Sequence, residues 1–117
     1  MQQLKWIKCQ GEVWCPFHTV NLNHEHFNGL EGVYVIWHGG PKAHTVIVGQ
    51  GNIRESFIAY RSDPRVQNFA SFGIFGTWAS VPRESRDGIQ TYLTTRLTPL
   101  VTDKPSSGVP IEVNLPW

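Results

Sequence analysis

The sequence predicts a small α+β domain in which an antiparallel hairpin, a capped helix, a third strand and a second helix follow an irregular cover and precede an extended tail. Three observations carry this expectation. Two β-branched and aromatic runs, Val33-Tyr34-Val35-Ile36-Trp37 and His44-Thr45-Val46-Ile47-Val48, flank the turn residues Gly39-Gly40-Pro41. Two later segments repeat apolar residues at helical spacing, each closed by a proline. A length of 117 residues suits one domain.

In chain order, residues 1–31 hold Trp6, Ile7, Val13, Trp14 and Phe17 without a clean period, and Asn21, Asn23, Asn28 and Gly29 weaken any helix. This segment reads as a cover that is irregular or contains strand, with one short helix near Thr19–Phe27. The hairpin follows, with a loop of about five residues. Gly49-Gln50-Gly51 is expected to break the second strand. Asn52 suits an N-cap for a helix that carries Ile53, Phe57 and Tyr60 on one face. That helix must end before Asp63-Pro64, because a residue preceding proline is pushed out of helical backbone. Residues 62–72 read as a polar connection. Gly73–Val81 reads as the third strand, whose glycines suggest a bulge or a close approach of another backbone. A second helix from about Arg86 to Leu97 sets Ile89, Leu93 and Leu97 on one face, and Pro99 ends it. The tail, punctuated by Pro99, Pro105, Pro110 and Pro116, is expected to run extended, with Ile111, Val113, Leu115 and Trp117 alternating towards one side.

With 40% hydrophobic and 12% aromatic residues the chain is too apolar to stay disordered. Ten Lys and Arg against nine Asp and Glu give a net charge of +1, which excludes a global field drawing the protein to nucleic acid or membrane. No apolar run approaches the roughly 20 residues that span a bilayer, and the start lacks the pattern of a secretory signal, so a cytoplasmic location is expected. In that compartment Cys9 and Cys15 are expected as free thiols. Cys9, Cys15, His18, His24 and His26 could supply a tetrahedral zinc site, but they lack a tight Cys-x2-Cys pair, and core thiols are the plainer reading. His38, Lys42 and His44 surround the hairpin turn and read as a solvated loop. All six arginines fall between residues 54 and 96 against four acids, so this middle segment nets +2. A local basic face is the feature that could meet phosphate.

The order Gly32-Val33-Tyr34, then Ile47-Val48-Gly49-Gln50-Gly51-Asn52, a capped helix, a strand and a helix closed by Pro99 resembles the GIY-YIG nuclease superfamily over about residues 32–102. The resemblance implies a small three-stranded antiparallel sheet flanked by helices, one GIY-YIG-like domain spanning residues 1–117. It also implies a catalytic tyrosine acting with a metal-bound water, here Tyr34. The family's second tyrosine corresponds to Ile47, its helical arginine to Ser56, its His or Tyr one turn later to Tyr60, its metal-binding glutamate to Gln90 and its late asparagine to Thr102. Arg54 lies about 200° round the helix from Ser56 and cannot simply replace the arginine. Asp87 reads as a helix cap rather than a substitute metal ligand.

With Ile47, Ser56 and Gln90 in place of polar or charged groups, the expectation is a catalytically degenerate nuclease scaffold with no resident cofactor. It would serve as a nucleic-acid-binding module, on DNA rather than RNA, or as a protein-interaction module. Arg54, Arg61, Arg86, Lys42 and His44 are the expected nucleic-acid contacts. One alternative is an active endonuclease that uses Mg²⁺, with Arg54 or Arg61 and Asp87 taking over charge and metal roles. Another is an inhibitor or assembly factor that binds protein through its Trp-rich flanks, with residues 110–117 as the anchor.

Overall fold

A computed structural model describes residues 1–103 and 106–117; the expectation for Pro105 lies outside the described residues. The two apolar runs form strands β2 (Glu31–His38) and β3 (His44–Asn52), joined by residues 39–43. The expected break at Gly49 does not occur. Pairing continues through Tyr34↔Gly49, Val33↔Gln50, Gly32↔Gly51 and Glu31↔Asn52. Glycine is needed at 49 for a packing reason, since a Cβ there would stand 2.3 Å from the Tyr34 hydroxyl. Gly51 has φ +126°, backbone that favours glycine, and lies on the paired strand.

Strand β4 (Ile74–Ser80) pairs with the other side of β2. With residues Cys15–Pro16 as β1, the sheet is antiparallel in the order β1-β4-β2-β3, so it has four strands where three were expected. The extra strand, β1 (Cys15–Pro16), is too short to leave a period in the sequence. It is fixed by a Cys9–Cys15 disulfide, which corrects the expectation of free thiols. A tight turn with positive φ at Gly11 and Glu12, closed by the Cys9 N–H donating to the Val13 carbonyl, brings the two Cα atoms to 5.1 Å, within bridging range. Those thiols are therefore unavailable as zinc ligands, and no cluster of three or more metal-ligating His, Cys, Asp or Glu forms among the described residues.

Strand alternation gives the sheet two apolar faces. Tyr34, Ile36, Ile47 and Trp78 pack with Phe57 of helix α1 (Ile53–Arg61) and with Phe17 and Phe27 of the N-terminal cover. Val33, Val35 and Val48 pack with Ile89 and Leu93 of helix α3 (Arg83–Leu97), beneath Leu4, Trp6, Ile111 and Leu115. Asn52 caps α1 as its sequence implies, accepting the Glu55 N–H at 2.9 Å. Helix α3 begins at Arg83, directly after Pro82.

Several local expectations change. Residues 62–72 are more than a polar connection: Asp63 caps a short helix α2 (Pro64–Gln67), Val66 is fully buried, and Phe69 stacks flat on the buried ring of His38. His38 is accordingly not part of a solvated loop. The ladder irregularity lies in β3 opposite Ile36 and Trp37, where Val46 is the extra residue, rather than at Gly73 or Gly76. What approaches Gly76 is the Phe57 ring, 3.0 Å from where a Cβ would stand, and not a backbone. Near Thr19–Phe27 the only helical turn is a 3-10 turn over Glu25–Phe27. Near the end of the chain Val113 bridges to Gln2, and Asn114 stitches this stretch to the N-terminal segment by bonding both the N–H and the carbonyl of Leu4. No described helix is long and apolar enough to cross a membrane.

Candidate functional site

Strand β3 is an edge of the sheet. Near its start the edge is covered, because Leu100 and Val101 donate to the carbonyls of Thr45 and Val46. Further along, α1 on one face and α3 on the other leave a cleft of about 630 Å³ beside Val48, Gly49 and Gln50. Tyr34, Ser56 and Tyr60 reach it from β2 and α1, Gln90 and Asp87 from α3, and Glu55, Asp63 and Asp103 complete the wall. Four positions singled out by motif spacing thus meet in one place: Tyr34, Ser56, Tyr60 and Gln90. Ile47 does not reach the cleft; it is 1% exposed within the α1-side core.

The cleft is held by two hydrogen-bond chains. In the first, the Tyr34 hydroxyl lies between those of Ser56 and Tyr60, and Tyr60 donates to Asp103 Oδ2 at 2.9 Å. Burial pushes the Tyr34 phenol up from its ordinary value of 10.0, a rise only partly offset by the Ser56 and Tyr60 hydrogen bonds. Tyr60 is raised by burial as well, then by Tyr34 and by its bond to Asp103. In the second chain the Gln50 amide donates to Asp87 Oδ1 at 2.6 Å and to Gln90 Oε1 at 2.7 Å. Gln90, 4% exposed, turns its own amide nitrogen towards the Val48 carbonyl. Asp87 is the fifth residue of α3, so it is a tether to Gln50 and not the expected cap.

At Gln90, the position the resemblance gives to a metal-binding glutamate, the donor is not the one Mg²⁺ wants. A hard dication wants anionic oxygen with room for water, whereas Gln90 offers a neutral oxygen already engaged by Gln50. The described lining holds four carboxylates and no cationic side chain. Arg65 stands near the rim, where it clasps Asp63 and reaches Asp103 at 3.4 Å, holding the Asp63 carboxyl below the usual range.

The arginines expected to contact phosphate are engaged elsewhere. Arg54 donates to the carbonyls of Leu22 and His24 and to Asn28 Oδ1 at 2.7, 3.0 and 2.8 Å. Arg61 holds the carbonyls of Phe17 and Val20. Arg86 bonds the Val81 carbonyl and pairs with Glu31 at 2.8 Å. Together the first two clamp the N-terminal cover onto α1. Among the other expected contacts, Lys42 is exposed in the hairpin loop, and His44 Nε2 meets the Thr98 carbonyl at 2.8 Å. Thr102 is exposed and does not line the cleft. Of the histidines considered for zinc, His18 meets Gln67, His24 Nδ1 accepts the His26 N–H, and the His26 ring accepts the indole N–H of Trp78.

Sequence reasoning missed Gln50 and Asp103. Gln50 follows from the strand continuing past Gly49, which puts it opposite Val33 on the α3 side. Asp103 sits 43 residues beyond its partner Tyr60 and has no local signal. No protein-family model, curated protein or solved structure matches the chain.

Proposed function

We propose that this chain is a GIY-YIG-like domain that does not hydrolyse phosphodiesters and works as a protein-interaction module. The observation that carries the reading is Tyr34: its phenol points into the cleft, buried, with its pKa raised and no cationic side chain in the described lining. A tyrosine that activates water or phosphate must gain negative charge, which a nearby cation would have to stabilise. Here the neighbours are two hydroxyls and a carboxylate. A phosphodiester entering the same space would bring further negative charge beside the exposed carboxylates of Glu55, Asp87 and Asp103, with no cationic side chain in the described lining to offset it.

The choice of protein over nucleic acid rests on the arginines. Arg54, Arg61 and Arg86 donate to backbone carbonyls, so the basic middle of the chain is structural in large part. Geometry also narrows the experiment. Ile47 belongs to the core, so the informative variant is Ser56→Arg with Gln90→Glu, which supplies a guanidinium and an anionic metal ligand inside the cleft. Incubated with supercoiled plasmid and Mn²⁺, the parent should leave the plasmid intact, and the double variant should nick it. Nicking by the parent would refute the reading and favour the metal-dependent endonuclease. Salt-sensitive retardation of an oligonucleotide by the parent, weakened by Arg54→Lys and Arg61→Lys without loss of stability, would favour the nucleic-acid module.

A further inference from the structure

On the side of the sheet covered by α3, away from the cleft, three tryptophans from distant parts of the chain converge. Trp14 meets Trp37 edge-on with ring centres 5.3 Å apart, and Trp117 packs against both, at 4.7 Å from Trp37 and 6.3 Å from Trp14. They line a groove of about 470 Å³ with Leu97, His44 and Arg96. Trp117 lines it and remains 56% exposed. Solvent-facing tryptophan is costly to hydrate and is enriched at the centres of protein interfaces, where it supplies large rigid contact area.

The charged side chains placed at this groove are basic. Arg96 lies in the wall, the Lys8 ammonium stands over the Trp14 ring at 4.7 Å, and Lys42 follows the hairpin turn beside Ala43, which also lines the groove. No acidic residue appears among the described lining residues. The cleft beside β3 has the opposite character, with carboxylates and no cation in its described lining. A partner segment that matches the groove therefore carries a bulky aliphatic or aromatic residue flanked by carboxylates: the apolar side chain covers the indoles, and the acids meet Arg96 and Lys8.

We infer that the Trp14–Trp37–Trp117 groove is the docking surface for an acidic, apolar-centred segment of a partner protein. The inference deepens the interaction-module reading and rests on it only in naming protein as the partner. It fits the anchor expected of the Trp-bearing tail, with Trp14 and Trp37 as the rest of the surface.

The test titrates the intact, isotopically labelled chain with two hexapeptides that share a leucine-phenylalanine centre, one flanked by glutamates and the other by lysines. Indole N–H resonances are the readout. Trp6 and Trp78 bond internally to the Asn114 carbonyl and to His26, and serve as controls. The glutamate peptide should move the Trp14, Trp37 and Trp117 signals and leave the controls still, and should bind at least tenfold more tightly than the lysine peptide. Trp117→Ala should weaken it at least tenfold, and Arg96→Glu should reverse the preference between peptides. Equal binding of both peptides, or no movement of the three indoles, overturns the proposal. Displacement of the same three signals by an oligonucleotide alone, or by raising the protein concentration alone, overturns it in favour of a base-stacking or self-association surface. None of these outcomes bears on plasmid nicking, so failure here is distinguishable from failure of the non-cleaving reading.

Discussion

If Arg54 is a clamp on the N-terminal cover, then Arg54→Ala should unfold the protein more readily without altering any phosphate contact. Its three hydrogen bonds differ in worth. The bond to the Leu22 carbonyl, at 2.7 Å and beside a buried leucine, is charge-assisted and shielded, which places it at about 1.5–3 kcal/mol. Those to His24 and Asn28 lie in exposed surroundings and contribute about 0.5 kcal/mol each. The sum is about 2.5–4 kcal/mol, a large share of the roughly 5–15 kcal/mol that holds a domain together. It corresponds to a fall in Tm of roughly 10–25 °C.

Urea unfolding with circular dichroism gives the difference directly, and limited proteolysis should find new cleavage within residues 18–28. Arg54→Lys is the sharper variant. It keeps the charge but replaces a planar fork with a point donor unable to reach three acceptors, so it should lose about half as much stability, in the range of 1–2 kcal/mol. Wild-type stability in Arg54→Ala, combined with weaker oligonucleotide retention, would refute the clamp and restore Arg54 as a phosphate contact.

Other consequences follow from the same contacts. Gly49→Ala puts a methyl group 2.3 Å from the Tyr34 hydroxyl and should cost about 1–3 kcal/mol through overpacking; combining it with Tyr34→Ala should cost less than the sum of the two, whereas strict additivity in a double-mutant cycle would count against the contact. Opening the Cys9–Cys15 bridge with dithiothreitol, or by Cys9→Ser with Cys15→Ser, frees a short loop and should remove about 2 kcal/mol; identical denaturation midpoints with and without reductant would exclude a stabilising bridge. In a reducing cytoplasm, the location expected from the sequence, that loss would be permanent. Tyr34 gives a pH dependence. Its folded-state pKa lies above the unfolded value of 10.0, so its stabilisation is complete below pH 10. It declines by about 1.4 kcal/mol per pH unit as the unfolded chain alone ionises. The alkaline slope of stability should be shallower by that amount in Tyr34→Phe, and equal slopes would contradict the buried, uncompensated phenol.

Much of the scaffold was legible because hydrophobic period and punctuation act locally. The hairpin, the Asn52 cap, the end of α1 before Pro64 and the apolar faces of α1 and α3 all follow from neighbours within a few residues. Where the reading failed, distant chain decided the outcome. Gly49 looks like a strand breaker until Tyr34 is seen to need its missing side chain. The two-residue β1 exists because a disulfide and β4 hold it, and neither leaves a period in the sequence. The roles the structure gives the arginines had no local signal. Their clustering between 54 and 96 suggested a basic face, and charge counting does not reveal that Arg54 and Arg61 donate to carbonyls of the N-terminal cover beside α1. At the site, motif spacing brought Tyr34, Ser56, Tyr60 and Gln90 to one cleft, whereas Ile47 joined the core as its apolar side chain requires. Gln50 and Asp103, which finish the two hydrogen-bond chains, depend on strand continuation and on a tail returning from far along the sequence.

The central claim is that the cleft keeps a nuclease-like arrangement without the charge that would let Tyr34 act. The most direct measurement incubates the intact protein, in molar excess, with supercoiled plasmid in Mg²⁺ and in Mn²⁺, alongside Tyr34→Phe. The account predicts that neither protein nicks the plasmid in either metal. Metal-dependent nicking by the parent that disappears in Tyr34→Phe would contradict it.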